Sequence, residues 1–120
     1  MEEEVQQSVR LAAPPAFEAW INGFLAWVQL EKGLSTNTIE SYETDLNQCA
    51  LFLHERGVSH WKDAKLDDYS SWMASLTDDR YAVASLARKL SALRMMIRYF
   101  VGEGELGENH TDLLGNPKKR

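Results

Sequence analysis

The sequence predicts an all-α fold, a compact bundle of four helices. Apolar residues recur at spacings of three and four along four separate segments, which is the period of a helix with one packed side. No stretch alternates with the two-residue period of a strand, and glycines fall where the helical segments should stop. With 120 residues, the chain has the length of a single domain with one core.

Residues 1 to 15 are rich in Glu and Gln, carry no sustained period and end in Pro14-Pro15, so they read as a leader ahead of a fold that starts at Ala16. Helix one runs from there to Lys32, with Phe17, Trp20, Ile21, Phe24, Leu25, Trp27, Val28 and Leu30 on a wide inner side and Gly33 as its stop. Ser35 is placed to cap helix two. Thr38 sits three residues on, where a full capping box would have Glu or Gln. The inner stripe of helix two is Ile39, Tyr42, Leu46, Cys49, Ala50 and Leu53, and Gly57 follows as its stop.

A loop through Trp61 leads to Asp67 and Asp68, acidic residues suited to the positive start of a short helix three that buries Tyr69, Trp72, Met73 and Leu76. Thr77, Asp78 and Asp79 form a turn. Helix four then runs from about Tyr81 to Val101, with Val83, Leu86, Leu90, Leu93, Ile97 and Phe100 inside. Leu106, Leu113 and Leu114 leave room for a short fifth helix in the tail. The core domain is thus expected over 16–114.

Composition removes several function classes. No apolar run reaches the roughly 18 residues of a membrane span, and the Met1-Glu2-Glu3-Glu4 start is the opposite of a secretory signal, so the expected place is the cytoplasm. The lone Cys49 has no internal disulfide partner and lies on an apolar stripe, as a small hydrophobe would. The net charge of −5 runs against nucleic-acid binding, which draws much of its affinity from cations. Distribution matters more than the sum.

Between Arg80 and Gly102 there is no acidic residue, while Arg80, Arg88, Lys89, Arg94 and Arg98 are all present. Helix four is a basic element in an acidic protein. Its side away from the core is expected to carry Ala84, Ser85, Arg88, Ser91, Ala92 and Met95, with Arg94 and Arg98 toward one border. Small residues beside guanidinium groups let a helix approach a duplex closely while Arg reaches phosphates or a guanine edge. Helix two presents a second, uncharged polar side of Asn37, Ser41, Thr44 and Gln48. The DNA-contacting set expected from both helices is Asn37, Ser41, Thr44, Gln48, Ser85, Arg88, Ser91, Arg94 and Arg98, with Lys32 and Lys89 on phosphates and Arg88 the foremost contact.

At this point the residues resemble a family. The run Glu31-Lys32-Gly33-Leu34-Ser35-Thr36-Asn37-Thr38-Ile39, followed by Tyr42, Asp45 and Leu46, is similar to a segment of the core-binding domain of tyrosine recombinases of the XerC/XerD type. Ser85 to Arg94, SLARKLSALR, resembles a second segment of that domain, in the expected order and at about the expected distance. The resemblance spans roughly 16–120. It implies a SAM-like bundle whose helices two and four lie on double-stranded DNA as half of a clamp, with 115–120 starting the link to a C-terminal catalytic domain. In complete relatives that second domain holds the nucleophilic Tyr and its partners, no metal or nucleotide cofactor is used, and four protomers assemble on two duplexes. The catalytic residues are therefore expected outside this chain. Two departures stand out: Glu43-Thr44 where relatives often carry basic residues, and Asn109-His110 where the family usually has Asn-Pro.

Other chemistry has weaker support. Asp67-Asp68 and Asp78-Asp79 border helices, where capping is the commoner use of such residues. His54, His60 and His110 make no metal-ligand spacing with Cys49, and no local Arg and His set activates Tyr42, Tyr69, Tyr81 or Tyr99 as a nucleophile. Trp20, Trp27 and Trp72 fit core stripes, and only Trp61, in a loop, is open to stacking on a base. A competing reading from another class is a helical protein-interaction module whose helix-four side docks an acidic partner.

Overall fold

A computed structural model describes residues 12–115. Four α-helices make up the fold: α1 (Pro15–Lys32), α2 (Thr36–Glu55), α3 (Leu66–Asp78) and α4 (Val83–Gly102), with no strand among the described residues. Single 3-10 turns at Trp61–Asp63 and His110–Leu113 complete it. Residues 1–11 and 116–120, which hold most of the expected leader and of the expected link, lie outside the described residues.

Helix ends follow local chemistry. Gly33 closes α1 in the left-handed region at φ 64°, and the Ser35 hydroxyl accepts the Thr38 N–H at 3.2 Å to start α2, with Thr38 Oγ1 taking the Ser35 hydroxyl proton at 3.0 Å. Three helices end in the same paired motif. The N–H groups of Val58, Tyr81 and Glu105 reach back to Leu53, Leu76 and Phe100, while those of Gly57, Arg80 and Gly104 close the inner bond. Gly57 and Gly104 adopt the required positive φ without a Cβ, whereas Arg80 does so at φ 66° as a non-glycine residue.

Phe17, Phe24, Leu46, Leu53, Trp72, Leu93 and Met96 meet in one core that all four helices share. Against α1, α4 packs aromatic rings: Trp20 stacks on Phe100 with centroids 4.0 Å apart, and Trp27 on Tyr99 at 4.6 Å.

Several expectations are corrected. Helix α1 begins at Pro15 and Ala13 is already buried, so packing starts ahead of Ala16. Leu30 is 83% exposed, because it shares the outer side of α1 with Ala19, Gly23 and Ala26. Trp61 is not open to a base: it is buried, edge-on to Phe17, and its Nε1–H donates to the Phe17 carbonyl at 3.1 Å. The short fifth helix for which the tail leaves room is a 3-10 turn, and Asn109 Oδ1 caps it by accepting the Thr111 N–H at 3.0 Å. Asp68 does serve a helix start, taking the Lys65 N–H at 2.9 Å, but Asp78 and Asp79 sit at the C-terminal end of α3, where a carboxylate caps nothing.

Candidate nucleic-acid interface

Helices α2 and α4 are joined by a charge cluster on one buried carboxylate. Asp45 has a fully buried side chain, and a charge in that position is tolerated only when paired and hydrogen-bonded. Arg88 forks onto it, with Nε–H donating to Oδ2 and Nη2–H to Oδ1, both at 2.9 Å. From the other side Lys89 Nζ donates to Oδ1 at 2.9 Å. The hydrogen bond to Asp45, opposed by some burial, raises the Arg88 pKa above its already high ordinary value, so this guanidinium is always charged.

The cluster extends toward the start of α4. Lys89 Nζ lies 4.9 Å from the centre of the Tyr81 ring, and Gln48 Nε2–H donates to the Tyr81 hydroxyl at 3.0 Å. Because Gln48 meets Tyr81 while Asp45, one turn earlier, meets Arg88, the two helices pass each other in opposite senses. Ser41, Thr44 and Gln48 lie on the α2 flank beside Asp45, and Asn37 continues that flank toward the helix start, so the four polar residues do share one side. Asn37 and Thr44 are exposed, Ser41 and Gln48 half-buried. The Thr44 hydroxyl donates to the Glu40 carbonyl at 3.1 Å.

On α4 the open side is turned from the expected one toward Arg98. Ala84, Ala87, Arg88, Ser91 and Arg98 are exposed, Ser85 and Met95 half-buried, and Ala92 fully buried. Arg88 keeps 43% of its side chain open despite its fork. Lys89, expected on phosphates, is 5% exposed: it projects about 100° round the helix from Arg88, into the α2 contact, and its charge is committed to Asp45. Arg94, expected beside Arg88, is half-buried and serves the tail, donating to the carbonyls of Thr111 and Leu114. Arg98 is 63% exposed and pairs with Asp112 at 3.3 Å. Lys32 lies 5.6 Å from the Trp27 ring centre, and with Arg98, Met95 and Tyr99 it lines a groove at the C-terminal ends of α1 and α4. Arg98 is ten residues, or about 15 Å of helix, beyond Arg88. The exposed cations are therefore spread out, with Arg88 near one end and Lys32 and Arg98 near the other, where Glu103 lines the same groove and Asp112 pairs with Arg98.

The first turn of α4 holds no acidic residue and its N-cap, Ala82, supplies no side chain, so the positive end of the helix dipole is not offset there. Among the described residues no group of three or more His, Cys, Asp or Glu is arranged to hold a metal ion. Burial pushes the Cys49 thiol and the Tyr69 hydroxyl well up, which holds both protonated and unreactive.

Asp45 is the residue that periodicity alone overlooks as part of the site. The signal was present: it is a carboxylate beside the apolar stripe of α2, one residue before Leu46 and four before Cys49, and such a group requires cations from a neighbouring helix. The neighbour with cations to offer is α4.

Comparison with known proteins agrees with this architecture. The family described as phage integrase, N-terminal SAM-like domain, matches residues 21–104. Tyrosine recombinase XerC of Herpetosiphon aurantiacus is 36% identical over 95 residues, covering 79% of this chain and 31% of the relative. Tyrosine recombinase XerD of Rhizobium meliloti is 37% identical over 101 residues, 84% of this chain and 32% of the relative. The chain thus spans about a third of the length of these curated relatives. No solved structure gives a significant match. A match over 21–104 that takes in α2, α3, α4 and most of α1 establishes that this chain belongs to the phage integrase N-terminal SAM-like domain family.

Proposed function

We propose that this chain is the core-binding domain of a site-specific tyrosine recombinase, and that it grips double-stranded DNA with α2 and α4 as half of a clamp. The observation that carries this reading is the α2/α4 surface: an Arg88 guanidinium held at the edge of a buried charge cluster, with polar Asn37, Ser41 and Thr44 alongside and no acidic residue in α4. Such a surface suits phosphate oxygens and base edges. The relatives named tyrosine recombinase XerC and XerD supply the reaction class.

Arg88 is the leading contact, supported by Ser85 and Ser91 on α4 and by Asn37, Ser41, Thr44 and Gln48 on α2. Lys32 and Arg98 meet phosphates farther along the duplex. Lys89 and Arg94 contribute through the shape of the domain. The helical domain, 16–114 with its packing reaching back to Ala13, is followed at 115–120 by the start of a link to a catalytic domain, which carries the cutting and rejoining chemistry without a metal or nucleotide cofactor. The partners are that catalytic domain and further recombinase protomers assembled on DNA. The place of action is the cytoplasm, in keeping with the finding that no described helix is long and apolar enough to cross a membrane.

The test is titration of mixed-sequence duplex with this chain. Half a clamp should bind weakly, with a dissociation constant on the order of 10⁻⁶–10⁻⁴ M that rises steeply with salt. In the complete recombinase on its core site, a specific contact by Arg88 predicts that Arg88→Ala weakens binding by about 1–3 kcal/mol. Absence of duplex binding at salt on the order of 50 mM, or binding indifferent to salt, would overturn the reading in favour of a protein-docking module.

A further inference from the structure

We infer that Asp45 is a positioning residue for DNA binding: it holds Arg88 so that one fixed edge of the guanidinium faces the duplex. The inference rests on the DNA-binding reading and adds to it how the leading contact is organised.

A guanidinium has two edges able to make paired hydrogen bonds. One is formed by Nε and one Nη, the other by both Nη groups. Asp45 occupies the first, through Nε and Nη2 at 2.9 Å each. What remains is the end-on edge, with both N–H groups of Nη1 and one of Nη2, on a side chain that is 43% exposed. A free arginine would lose much of its rotamer freedom on gripping a phosphate or base. Here that cost is met during folding, because the carboxylate that orients the fork is itself immobile within the core.

Charge bookkeeping explains why the anchor does not cancel the contact. A carboxylate paired to Arg88 alone would leave a neutral pair with little attraction for phosphate. Lys89 adds a second cation to the same Asp45 oxygen that takes Nη2, from a site 5% exposed and closed by the Tyr81 ring. Two cations on one anion leave a net charge of +1, and only Arg88 is in a position to show it to solvent. Lys89 therefore acts indirectly: it offsets the anchor's charge.

The decisive variant is Asp45→Asn combined with Lys89→Met, which removes one charge of each sign, keeps the net charge of the chain and leaves the Arg88 fork a single neutral acceptor in place of two charged oxygens. Binding of mixed-sequence duplex should weaken about fivefold or more, while the same pair of substitutions in an Arg88→Ala background should change it less than about twofold. Damage to the fold alone would lower binding in both backgrounds. Arg88→Lys is the second measurement, with Asp45 and Lys89 left in place: it keeps the charge but replaces the paired fork on Asp45 and has no planar edge, and it should also bind about fivefold more weakly. Undiminished binding by Arg88→Lys, or by the Asp45→Asn/Lys89→Met protein, would overturn the positioning role. So would an equal loss with and without Arg88. If the unaltered chain binds no duplex, the DNA-binding reading falls and takes this role with it; if it binds and the variants do not respond as stated, the positioning role alone falls.

Discussion

Helix α4 makes two seams of opposite character. Toward α1 it presents rings, with Phe100 stacked on Trp20 and Tyr99 on Trp27. Toward α2 it presents charge, with Arg88 and Lys89 closing on buried Asp45 and with Gln48 bonded to Tyr81. Rings bury area at little polar cost, so the first seam draws its strength from water exclusion. The second must recover the cost of desolvating Asp45 and Lys89, and its net contribution to stability is small even though breaking it halfway is expensive. Its geometry does something the aromatic seam does not: it fixes the register of α2 against α4 and with it the side chains that both helices show to solvent. One seam is held by packed rings, and the other by paired charge.

The largest expected effect tests the apolar half of that contrast. Trp61 belongs to the same core as the aromatic seam, buried against Phe17 and bonded to its carbonyl. Trp61→Ala should destabilise the domain by about 3–5 kcal/mol, because it leaves a large cavity in the core. Urea unfolding followed by circular dichroism measures it. A loss under about 1 kcal/mol would mean that the core closes over the gap and that the ring is not a structural centre.

The charged seam should behave in two ways according to how it is cut. Asp45→Ala alone strands the Lys89 ammonium inside the protein and should cost about 3–5 kcal/mol, the same order as the tryptophan. Replacing the cluster as a whole, by Asp45→Leu, Arg88→Met and Lys89→Met together, should change stability by no more than about 1 kcal/mol while removing the proposed DNA grip. The same unfolding curves check both. If the triple replacement costs as much as the single one, the cluster is a net source of stability and the contrast between the seams collapses.

The bundle was legible in the sequence because helix periods, Ser35, Gly33 and Gly57 are local signals and the structure uses each of them locally. What escaped depends on partners far along the chain. Trp61 reads as loop until Phe17, 44 residues away, is known to be its acceptor. Lys89 reads as a surface cation until Asp45, also 44 residues away, is seen beneath it. Arg94 sits on the basic helix as expected, but the carbonyls it serves are 17 and 20 residues onward in a tail whose turn is set by Asn109. Leu30 erred in the other direction, since its three-residue spacing from Trp27 carries it past the edge of the packed side. The candidate site was thus found as a pair of helix sides, and missed as a circuit of charges.

A third charge contact supplies the smallest effect and a check that burial is what separates the seams. At the junction of α2 with α3, Arg56 pairs with Asp68 at 2.9 Å and with exposed Asp67 at 3.2 Å, near the surface. Burial pushes the Asp68 carboxyl up, but the Lys65 N–H and the Arg56 guanidinium outweigh it and hold the pKa below its ordinary 3.8. A carboxylate with a depressed folded pKa binds fewer protons in the folded than in the unfolded chain, so its contribution is complete above the unfolded value and is lost as pH falls through the lower folded one. Asp68→Asn keeps an acceptor for Lys65 and removes only the charge, so it should cost about 1 kcal/mol at neutral pH, within the range for helix-terminal and surface pairs. That difference should hold down to about pH 4 and vanish below it, once Asp68 in the unaltered chain is protonated and matches the amide. Unfolding curves for the two proteins at a series of pH values read the difference directly, and other acid-sensitive groups cancel in it. A cost that persists unchanged well below the ordinary carboxylate range would mean that the side chain matters for its shape, and that a half-buried pair can be as insensitive to its charge as a packed ring.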